Sequence, residues 1–250
     1  MTKVISIAMH KGGVGKTTSA VNISAALALQ KKKTLLVDLD PQANTTLSYG
    51  IQDPKQDIYG SLSNKYEIPV INIKDYLDLT PSSLDLSGAE IELITEVGRE
   101  VILKRKLNKI KINYDFIIID CPPSLGLLTL NALVASNSIL IPLQAQYLAL
   151  HGMSRLMEVI DKIKTSGLNE NLIIEGVFLT LYDNRQVLNK TILKTIHENF
   201  PGKIFKTKVR KNIALAEAPY KGTDIFEYDS ISNGAKDYYE LSKEIIEKRN

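Results

Sequence analysis

The sequence predicts an α/β fold, with a mostly parallel, twisted sheet that is covered by helices on both faces. Short apolar runs rich in β-branched residues alternate with longer segments that carry alanine and leucine at helical spacing. The short runs are continuously apolar, which is typical of strands that are buried on both faces. This alternation favours a parallel sheet whose strands are joined by right-handed crossovers.

The elements follow in a regular order along the chain. The predicted strands share the short apolar pattern: Lys3 to Met9, Thr34 to Asp40, Tyr114 to Asp120, Ser138 to Leu143 and Leu172 to Thr180. The predicted helices lie between and after them, at 17–30, 84–109, 125–136, 147–165, 186–199 and 232–248. The turn-rich segment 49–82 is expected to hold one short helix and one strand, whereas 203–229 is irregular. No linker or composition shift marks a boundary, so we expect a single domain over residues 1–250.

Composition limits the classes of function. Of the 250 residues, 44% are hydrophobic and 24% charged, which is ordinary for a globular protein. The net charge of +3 indicates no nucleic-acid binder by itself, so such a function needs a local basic cluster. The single cysteine, Cys121, excludes an internal disulfide and a zinc site built from several cysteines. No apolar run approaches the roughly 18–20 residues that span a bilayer, and no signal peptide is recognisable, so we expect a cytoplasmic protein.

The stretch MHKGGVGKTT, Met9 to Thr18, carries a phosphate-loop pattern with one departure. The pattern G-x-x-x-x-G-K-[ST] requires a glycine at position 10, where this chain has His10, and a second lysine, Lys11, follows directly. The stretch lies after a predicted strand and opens a predicted helix, which is the context that a phosphate loop needs. A glycine-rich turn before a helix is the plainer alternative.

Each residue type in this loop suits a nucleotide phosphate. Glycines let backbone amides approach phosphate oxygens closely, and the following helix adds the positive end of its dipole. Lys16 is expected to reach the β- and γ-phosphates, Thr17 to bind Mg²⁺, and Thr18 to bond the α-phosphate. The predicted nucleotide-binding residues of the loop are Lys11, Gly12, Gly13, Val14, Gly15, Lys16, Thr17 and Thr18.

Acidic residues end two of the other predicted strands. Asp38 and Asp40 close the run TLLVDLD, and Asp120 closes FIIID. The carboxyl ends of parallel strands form the edge at which open α/β sheets bind ligands. Asp120 has the form expected of a carboxylate that holds Mg²⁺ through water. Any one of these acids is also a common helix cap or turn former, but three beside a phosphate loop favour a metal–nucleotide site.

Three spaced motifs together resemble one family. KGGVGKTT, then DLDPQAN (Asp38 to Asn44), then DCPPSLG (Asp120 to Gly126) are similar to those of the ParA/MinD group of deviant-Walker ATPases, which have the P-loop NTPase fold. The likeness is greatest to the short, chromosomal-type ParA (Soj-like) partition ATPases. It extends over nearly the whole chain, through TPSSLDLSGAE, PLQAQYLALHGMSRL and NIALAEAPYKG.

The resemblance implies a cycle of partners and cofactors. ATP and Mg²⁺ would drive a nucleotide-sandwich homodimer, the dimer would bind DNA non-specifically, and a ParB-like partner would stimulate an intrinsically slow hydrolysis that releases it. The alternative is a ParA-like positioning or regulatory ATPase that recruits a protein cargo. A P-loop synthetase of the biotin or cobyrinate type is disfavoured, because no extra substrate pocket is indicated.

The resemblance also implies roles for individual residues. Lys11 matches the signature lysine that crosses the dimer to the partner's ATP, and so plays the part of an arginine finger. Asp40 matches the acid that positions the attacking water. The implied catalytic residues are Lys11, Lys16 and Asp40, and the implied metal ligands are Thr17, Asp38 and Asp120. Arg210 and Asn212 fall in the segment that contacts the base.

The protein is predicted to bind DNA. KIFKTKVRK, Lys203 to Lys211, holds five basic residues and no acid, as phosphate contacts require, although a solvated charged face is an equal alternative from the residues alone. The resemblance places a DNA-contacting arginine at Arg185, whereas Ala214 stands where some relatives have another arginine. The predicted DNA-binding residues are Arg185, Lys203, Lys206, Lys208 and Lys211.

Other classes fit the sequence less well. The C-terminal YYELSKEIIEKRN mixes acids with bases and lacks Trp and Phe, so we expect it to dock onto the domain and not onto a membrane. One cysteine is too few for an iron–sulfur ATPase, and Cys121 is expected to be a small buried residue. For His10, a contact with the nucleotide or a neighbouring subunit and a structural role remain open.

Overall fold

The computed structural model describes residues 1–145, 147–183, 196, 198 and 200–248. At residues 147–150 it describes the backbone alone. Within this part, seven strands form one sheet in the order β3-β4-β2-β5-β1-β6-β7. Their bounds are β1 Lys3–Ile7, β2 Thr34–Asp38, β3 Ile71–Lys74, β4 Leu77–Thr80, β5 Phe116–Asp120, β6 Ser138–Gln144 and β7 Ile173–Thr180. Only the pairing of β3 with β4 is antiparallel among these strands. The predicted α/β fold with a mostly parallel sheet is confirmed.

Helices connect and cover the strands. Those with α geometry are α1 Lys16–Leu29, α2 Asn44–Ser48, α3 Ile58–Leu62, α4 Leu86–Glu92, α5 Ile102–Ile110, α6 Leu127–Ala135, α7 Tyr147–Thr165, α8 Ala214–Glu217, α9 Ile225–Tyr228 and α10 Asn233–Glu247. Short 3₁₀ turns occur at Leu93–Thr95, Arg99–Val101, Lys111–Asn113 and Ala218–Lys221. The predicted helix at 186–199 lies outside the described residues apart from 196 and 198.

Two of the predicted elements differ from those observed. The continuous helix expected at 84–109 is broken, because Glu96 is extended and Gly98 takes the left-handed conformation with φ 70°. Helices α4 and α5 lie on either side of that break. The segment 49–82 holds the expected short helix but two strands instead of one, since β3 and β4 form a hairpin-like pair at the edge of the sheet.

Alternate strand residues build two separate apolar layers. In β2, Leu35 and Val37 pack with α4–α7 on one face of the sheet, whereas Leu36 packs with α1 and α10 on the other. Leu241 and Ile245 of α10 are fully buried in this second layer, which fits the expected docking of the C-terminal helix onto the domain. No helix in the described part of the chain is both long and apolar enough to cross a membrane.

The basic stretch 203–211, here called the edge segment, lies alongside β7 and extends the sheet. Backbone bonds join the two, among them Phe205 N–H to the Val177 carbonyl at 2.9 Å and Val209 N–H to the Leu179 carbonyl at 2.8 Å. Phe205 and Val209 are buried. Between them the segment bulges, and the Glu244 carboxylate of α10 accepts from the backbone N–H groups of residues 206 and 207. The lysines predicted to bind DNA thus lie on a sheet edge.

Strand order explains why the motifs meet. β1 lies beside β5, and β5 lies beside β2, so the phosphate loop and the acidic strand ends share one edge of the sheet. The register is direct, since Asp120 pairs with Asp38 on one side and with Ile7 on the other. Three segments that are far apart in sequence therefore converge where parallel α/β sheets bind their ligands.

Candidate nucleotide site

The phosphate loop owes its shape to two glycines in left-handed conformation. Gly13 has φ 71° and Gly15 has φ 83°, values that residues with a Cβ rarely adopt. Gly15 is also the N-cap of α1, so Lys16 begins the helix directly beneath the loop. The loop therefore presents backbone amides and a helix N-terminus together, which is the arrangement that binds phosphate groups.

Neighbouring elements hold this loop in place. The Thr180 hydroxyl, at the end of β7, donates to the Val14 carbonyl at 2.8 Å. Helix α7 approaches from another side, where a Cβ added to Gly152 would lie 2.6 Å from the His10 carbonyl oxygen. A glycine is needed at position 152 because helix and loop are in direct contact there. The contacts with Thr180 and Gly152 fix the position of the loop backbone.

Lys16 is a buried cation at the base of the loop. Its side chain is 7% exposed, and its ammonium donates to the Lys11 carbonyl at 2.8 Å. Burial lowers the pKa of Lys16, and the charge of Asp120 acts against that shift. A desolvated ammonium beside open loop amides is suited to an anionic ligand, so the predicted place of Lys16 at the phosphates agrees with its surroundings. Lys11 lies half-buried in the same loop.

Asp120 is fully buried, and its two oxygens have different surroundings. Oδ2 accepts from the Thr17 and Thr45 hydroxyls, each at 2.8 Å, while Oδ1 is buried without a protein partner. Burial raises the pKa of Asp120 to about 6, and the two hydroxyl donors act in the opposite direction. An unpartnered carboxylate oxygen next to a threonine hydroxyl is a set of hard oxygen ligands, which fits Mg²⁺ bound directly or through water.

Asp38, by contrast, is saturated with protein donors. Oδ2 accepts from the N–H and hydroxyl of Thr46 at 2.8 and 2.6 Å, and Oδ1 accepts from the Asp40 N–H at 3.2 Å. Burial and the charge of Asp120 raise the pKa of Asp38 to about 7. These contacts make Asp38 a turn-forming residue, which is the alternative that applies to any of the three acids. Its implied role as a metal ligand stays a prediction.

Asp40 is held in a turn at the rim of this site. Its carbonyl accepts from the Ala43 N–H and the Ser82 hydroxyl, both at 2.9 Å, and its Oδ1 accepts from the Gln42 N–H at 3.0 Å. The residue is 6% exposed. The turn therefore fixes the Asp40 backbone to the end of β4, and places its carboxylate near the charges of Lys16 and Asp120.

The residues predicted to contact the base lie next to the loop. Arg210 and Asn212 line a cavity of about 110 Å³ together with Gly15, Thr18 and Thr180. The Arg210 guanidinium is engaged by Asp237, with nitrogen–oxygen distances of 2.6 and 2.9 Å, and Asn212 Oδ1 accepts from the Ala214 N–H. These bonds give both side chains a role in shaping the cavity wall. Contact with a base stays a prediction.

A larger cavity, of about 400 Å³, borders the same end of α1. It is lined by Thr17, Thr18 and Asn22 of the helix, by Leu47 of α2, and by Tyr220 of the turn after α8, among others. It therefore adjoins both the Thr17 hydroxyl, which is predicted to bind the metal, and the helix that follows the Asp40 turn. The two cavities together provide room beside the phosphate loop for the rest of a nucleotide.

The four lysines predicted to bind DNA line neither of these two cavities. Arg185 lies outside the described residues. Lys203, Lys206 and Lys211 are exposed on the edge segment. Lys208 is half-buried, with its ammonium 4.6 Å from the centre of the Tyr182 ring. Lysines on a sheet edge also prevent edge-to-edge pairing with other chains, so this structural role accompanies the proposed one.

Sequence reasoning missed the hydroxyl residues that connect the motifs. Thr45 binds Asp120, Thr46 binds Asp38, and the Thr46 hydroxyl accepts from the Ser82 N–H at 2.9 Å. Thr180 holds the loop from β7. The available signal was position: Thr45 and Thr46 follow DLDPQAN directly, and Thr180 ends a predicted strand at the ligand-binding edge.

The buried charge of Asp120 makes a prediction for the metal-free protein. Asp120→Asn is expected to raise the free energy of unfolding at pH 8 by about 1–3 kcal/mol, because the amide oxygen can accept from both threonines without a buried charge. The folded-state pKa of about 6 exceeds the unfolded value of about 3.9, so the wild-type protein loses stability as pH rises through this window. The advantage of the variant should therefore shrink toward pH 4.

Urea unfolding with EDTA at pH 4, 6 and 8 measures this difference. Ser82→Ala, which removes a buried hydroxyl and no charge from the same area, serves as a control whose effect should not change with pH. An Asn variant that is less stable than the wild-type protein at pH 8 would contradict the prediction.

Comparison with known proteins places the chain in a family. The model of the AAA domain family matches residues 2–174. The chain is 46% identical to the sporulation initiation inhibitor protein Soj of Bacillus subtilis strain 168 over 250 residues, covering 98% of each. It is 45% identical to the chromosome-partitioning ATPase Soj of Treponema pallidum strain Nichols, again with 98% of each covered.

A solved structure gives the same result for the fold. Cobyrinic acid a,c-diamide synthase from Mycobacterium smegmatis with bound ATP analogue and magnesium matches with a TM-score of 0.85 and 33% identity, over 98% of this chain and 95% of that one. The sequence motifs, the converging site and the full-length likeness to two Soj proteins lead to one conclusion: this chain belongs to the ParA/MinD family of ATPases, in its Soj-like partition group.

Proposed function

We propose that this protein is a DNA-partitioning ATPase whose dimer and DNA affinity are controlled by Mg-ATP. The observation that carries the proposal is the phosphate loop with two lysines, Lys11 and Lys16, beside the buried Asp120 carboxylate, which accepts from Thr17 and keeps one oxygen without a protein partner. Lys16 and Thr17 serve the nucleotide of their own subunit. By the family resemblance, Lys11 serves a second nucleotide, which a face-to-face dimer would supply.

Under this proposal, each of the site residues has a part in hydrolysis. The loop amides and Lys16 bind the phosphates, while Thr17 and Asp120 hold Mg²⁺, which neutralises charge on the transferred phosphoryl group. Asp40 orients the attacking water, and the turn held by Ser82 keeps its backbone in place. Lys11 from the other subunit stabilises the charge that develops in the transition state. Since Lys11 comes from the other subunit, an isolated subunit should turn over slowly.

The DNA part of the proposal rests on the edge segment and on the family. Lys203, Lys206 and Lys211 form an exposed basic row, and the relatives at 45–46% identity include a chromosome-partitioning ATPase. ATP-bound dimers would bind the nucleoid through such residues, together with Arg185. A ParB-like protein would then stimulate hydrolysis and release the dimer from DNA. The presence of the γ-phosphate would thus control whether the surface binds DNA.

The synthase neighbour suggests a different reaction, but identity favours partition. The 33% identity to the synthase is below the 45–46% identity to the Soj proteins over the same share of the chain. The shared fold and phosphate loop account for that match. The remaining alternative, a ParA-like ATPase that positions a protein cargo, differs from partition in one measurable property, the binding of DNA.

Sizing the protein with and without a non-hydrolysable ATP analogue, followed by DNA binding of each species, tests the proposal. The dimer should bind unrelated duplexes in a salt-dependent way, and the nucleotide-free protein should bind them weakly. Replacing Lys203, Lys206 and Lys211 together by Gln is expected to reduce the slope of log K against log salt by about 0.9 for each DNA phosphate that is no longer neutralised. Arg185→Ala should abolish DNA binding and leave the dimer intact.

Gln substitutions at Lys55, Lys65 and Lys111, three exposed lysines away from the edge segment, are the matched control. They should leave the salt slope unchanged. A dimer that forms with ATP but binds no DNA would exclude partition and favour the cargo-positioning alternative. If the triple-lysine and control variants bind equally well, the edge segment is not the DNA surface.

A further inference from the structure

Thr45 makes the second hydroxyl contact to the Asp120 carboxylate. It lies in the first turn of α2, its side chain is fully buried, and its hydroxyl donates to Asp120 Oδ2 at 2.8 Å. The Thr17 hydroxyl donates to the same oxygen at the same distance. Two donors from different segments of the chain therefore converge on one oxygen and leave the other, Oδ1, without a protein partner.

This division of donors fixes the orientation of the carboxylate. With a single donor, a carboxylate can rotate about its Cβ–Cγ bond and exchange its two oxygens. Because Oδ2 accepts from two hydroxyls, rotation of this buried carboxylate breaks two hydrogen bonds at once. Oδ1 is buried and unsatisfied, a state that proteins retain where a ligand completes the bonding.

The segment that contains Thr45 also contains Asp40. Thr46 binds Asp38 through its N–H and hydroxyl, and Ser82 binds both Thr46 and the Asp40 carbonyl. Between Asp40 and Thr45, Ala43 takes a left-handed conformation with φ 52°, which is strained for a residue with a Cβ. This strained turn has its contact to the Asp120 carboxylate through Thr45.

We propose that Thr45 is a positioning residue of the divalent-cation site. Its hydroxyl orients Asp120 so that Oδ1 faces the cation, and it ties the turn that carries Asp40 to the same carboxylate. Cation binding and placement of Asp40 are thereby coupled through one side chain. The inference rests on the proposed function, because Mg-ATP hydrolysis is the reaction that Asp40 would serve.

Binding of Mn²⁺ to the ADP-saturated protein, followed by electron paramagnetic resonance, tests the inference without any catalytic step. Thr45→Val removes the hydroxyl at constant shape and is expected to weaken Mn²⁺ binding about tenfold, the size expected when a hydroxyl bond to a charged acceptor is removed. Thr45→Ser keeps the hydroxyl and should bind within about twofold of the wild-type protein. ADP binding in EDTA should be equal in all three.

Thr34→Val is the matched control. Thr34 is also fully buried and lies in β2, but its hydroxyl donates to the Lys32 carbonyl, away from the carboxylates. Its Val variant should bind Mn²⁺ as the wild-type protein does. Thr45→Ala, a second hydroxyl-free variant, guards against misfolding of Thr45→Val, and urea unfolding in EDTA reports the fold of each protein.

Steady-state kinetics separates positioning from a general loss of structure. Thr45→Val should raise the Mg²⁺ concentration for half-maximal hydrolysis and lower kcat, with little change in ATP binding. If a folded Thr45→Val or Thr45→Ala binds Mn²⁺ as tightly as the wild-type protein, the inference is wrong. A wild-type protein that binds Mn-ADP but hydrolyses no ATP would instead overturn the proposed function, and the Mn²⁺ comparison would still decide the role of Thr45.

Discussion

Asp40→Ala is expected to lower stimulated ATP hydrolysis at least about 100-fold while ATP binding is retained. The carboxylate is lost, but the phosphate loop, Lys16 and the Asp120–Thr17 pair are separate from it and remain intact. The turn should also survive, because Asp40 bonds to Ala43 and Ser82 through its backbone carbonyl. The variant should therefore accumulate as an ATP-bound dimer and stay on DNA.

Phosphate release measures the rate, and size-exclusion chromatography with ATP measures the dimer. Asp53→Ala removes an exposed carboxylate and keeps the same net charge as the variant, so it should behave as the wild-type protein does. An Asp40→Ala protein that forms no ATP-bound dimer, and binds DNA no better than nucleotide-free protein, would refute the proposed mechanism.

Lys11→Ala should have the second large effect, at least about a 100-fold loss of stimulated hydrolysis with nucleotide binding by the monomer preserved. Lys16 and the loop backbone remain to bind the nucleotide of the same subunit. What disappears is the cation that completes the opposite site. Lys55→Ala, which removes an exposed lysine elsewhere, is the control.

Mixing the two inactive variants tests whether Lys11 acts across the dimer. In a heterodimer, the Lys11→Ala subunit keeps its own Asp40 and Lys16, and the Asp40→Ala subunit supplies Lys11. One active site per heterodimer should form, so the mixture should recover a substantial part of the wild-type rate. If Lys11 acts within its own subunit, neither site is complete, and the mixture stays inactive.

The convergence of the motifs was predictable from the sequence because each motif follows the carboxyl end of a run that apolar periodicity indicates as a parallel strand. The runs before Asp38 and Asp120 are short and almost wholly apolar, which is typical of buried parallel strands. The glycines at 13 and 15 likewise required no tertiary information, since the loop needs left-handed residues that glycine supplies without strain.

Features that depend on contacts between distant segments were not predictable. The break of the expected 84–109 helix is a different case, because it has a local signal in Gly98, which takes a left-handed conformation there. The edge segment looked irregular because its bulge is satisfied by Glu244 of α10, a residue far along the chain. Thr45 carried no motif of its own; its role depends on Asp120, 75 positions away.

The edge segment connects two regions that are otherwise separate. Its lysines lie on the rim of the sheet, and the same continuous backbone, bonded to Tyr182 through residues 209 and 211, reaches the cavity wall at Arg210 and Asn212. A polyanion at the lysines and a nucleotide at the cavity would contact the same segment, so a displacement of the segment by one ligand would change the binding of the other. Thermodynamic reciprocity then requires that each ligand change the affinity of the other by the same factor. DNA would thus be an effector of nucleotide binding, just as nucleotide binding controls the binding of DNA.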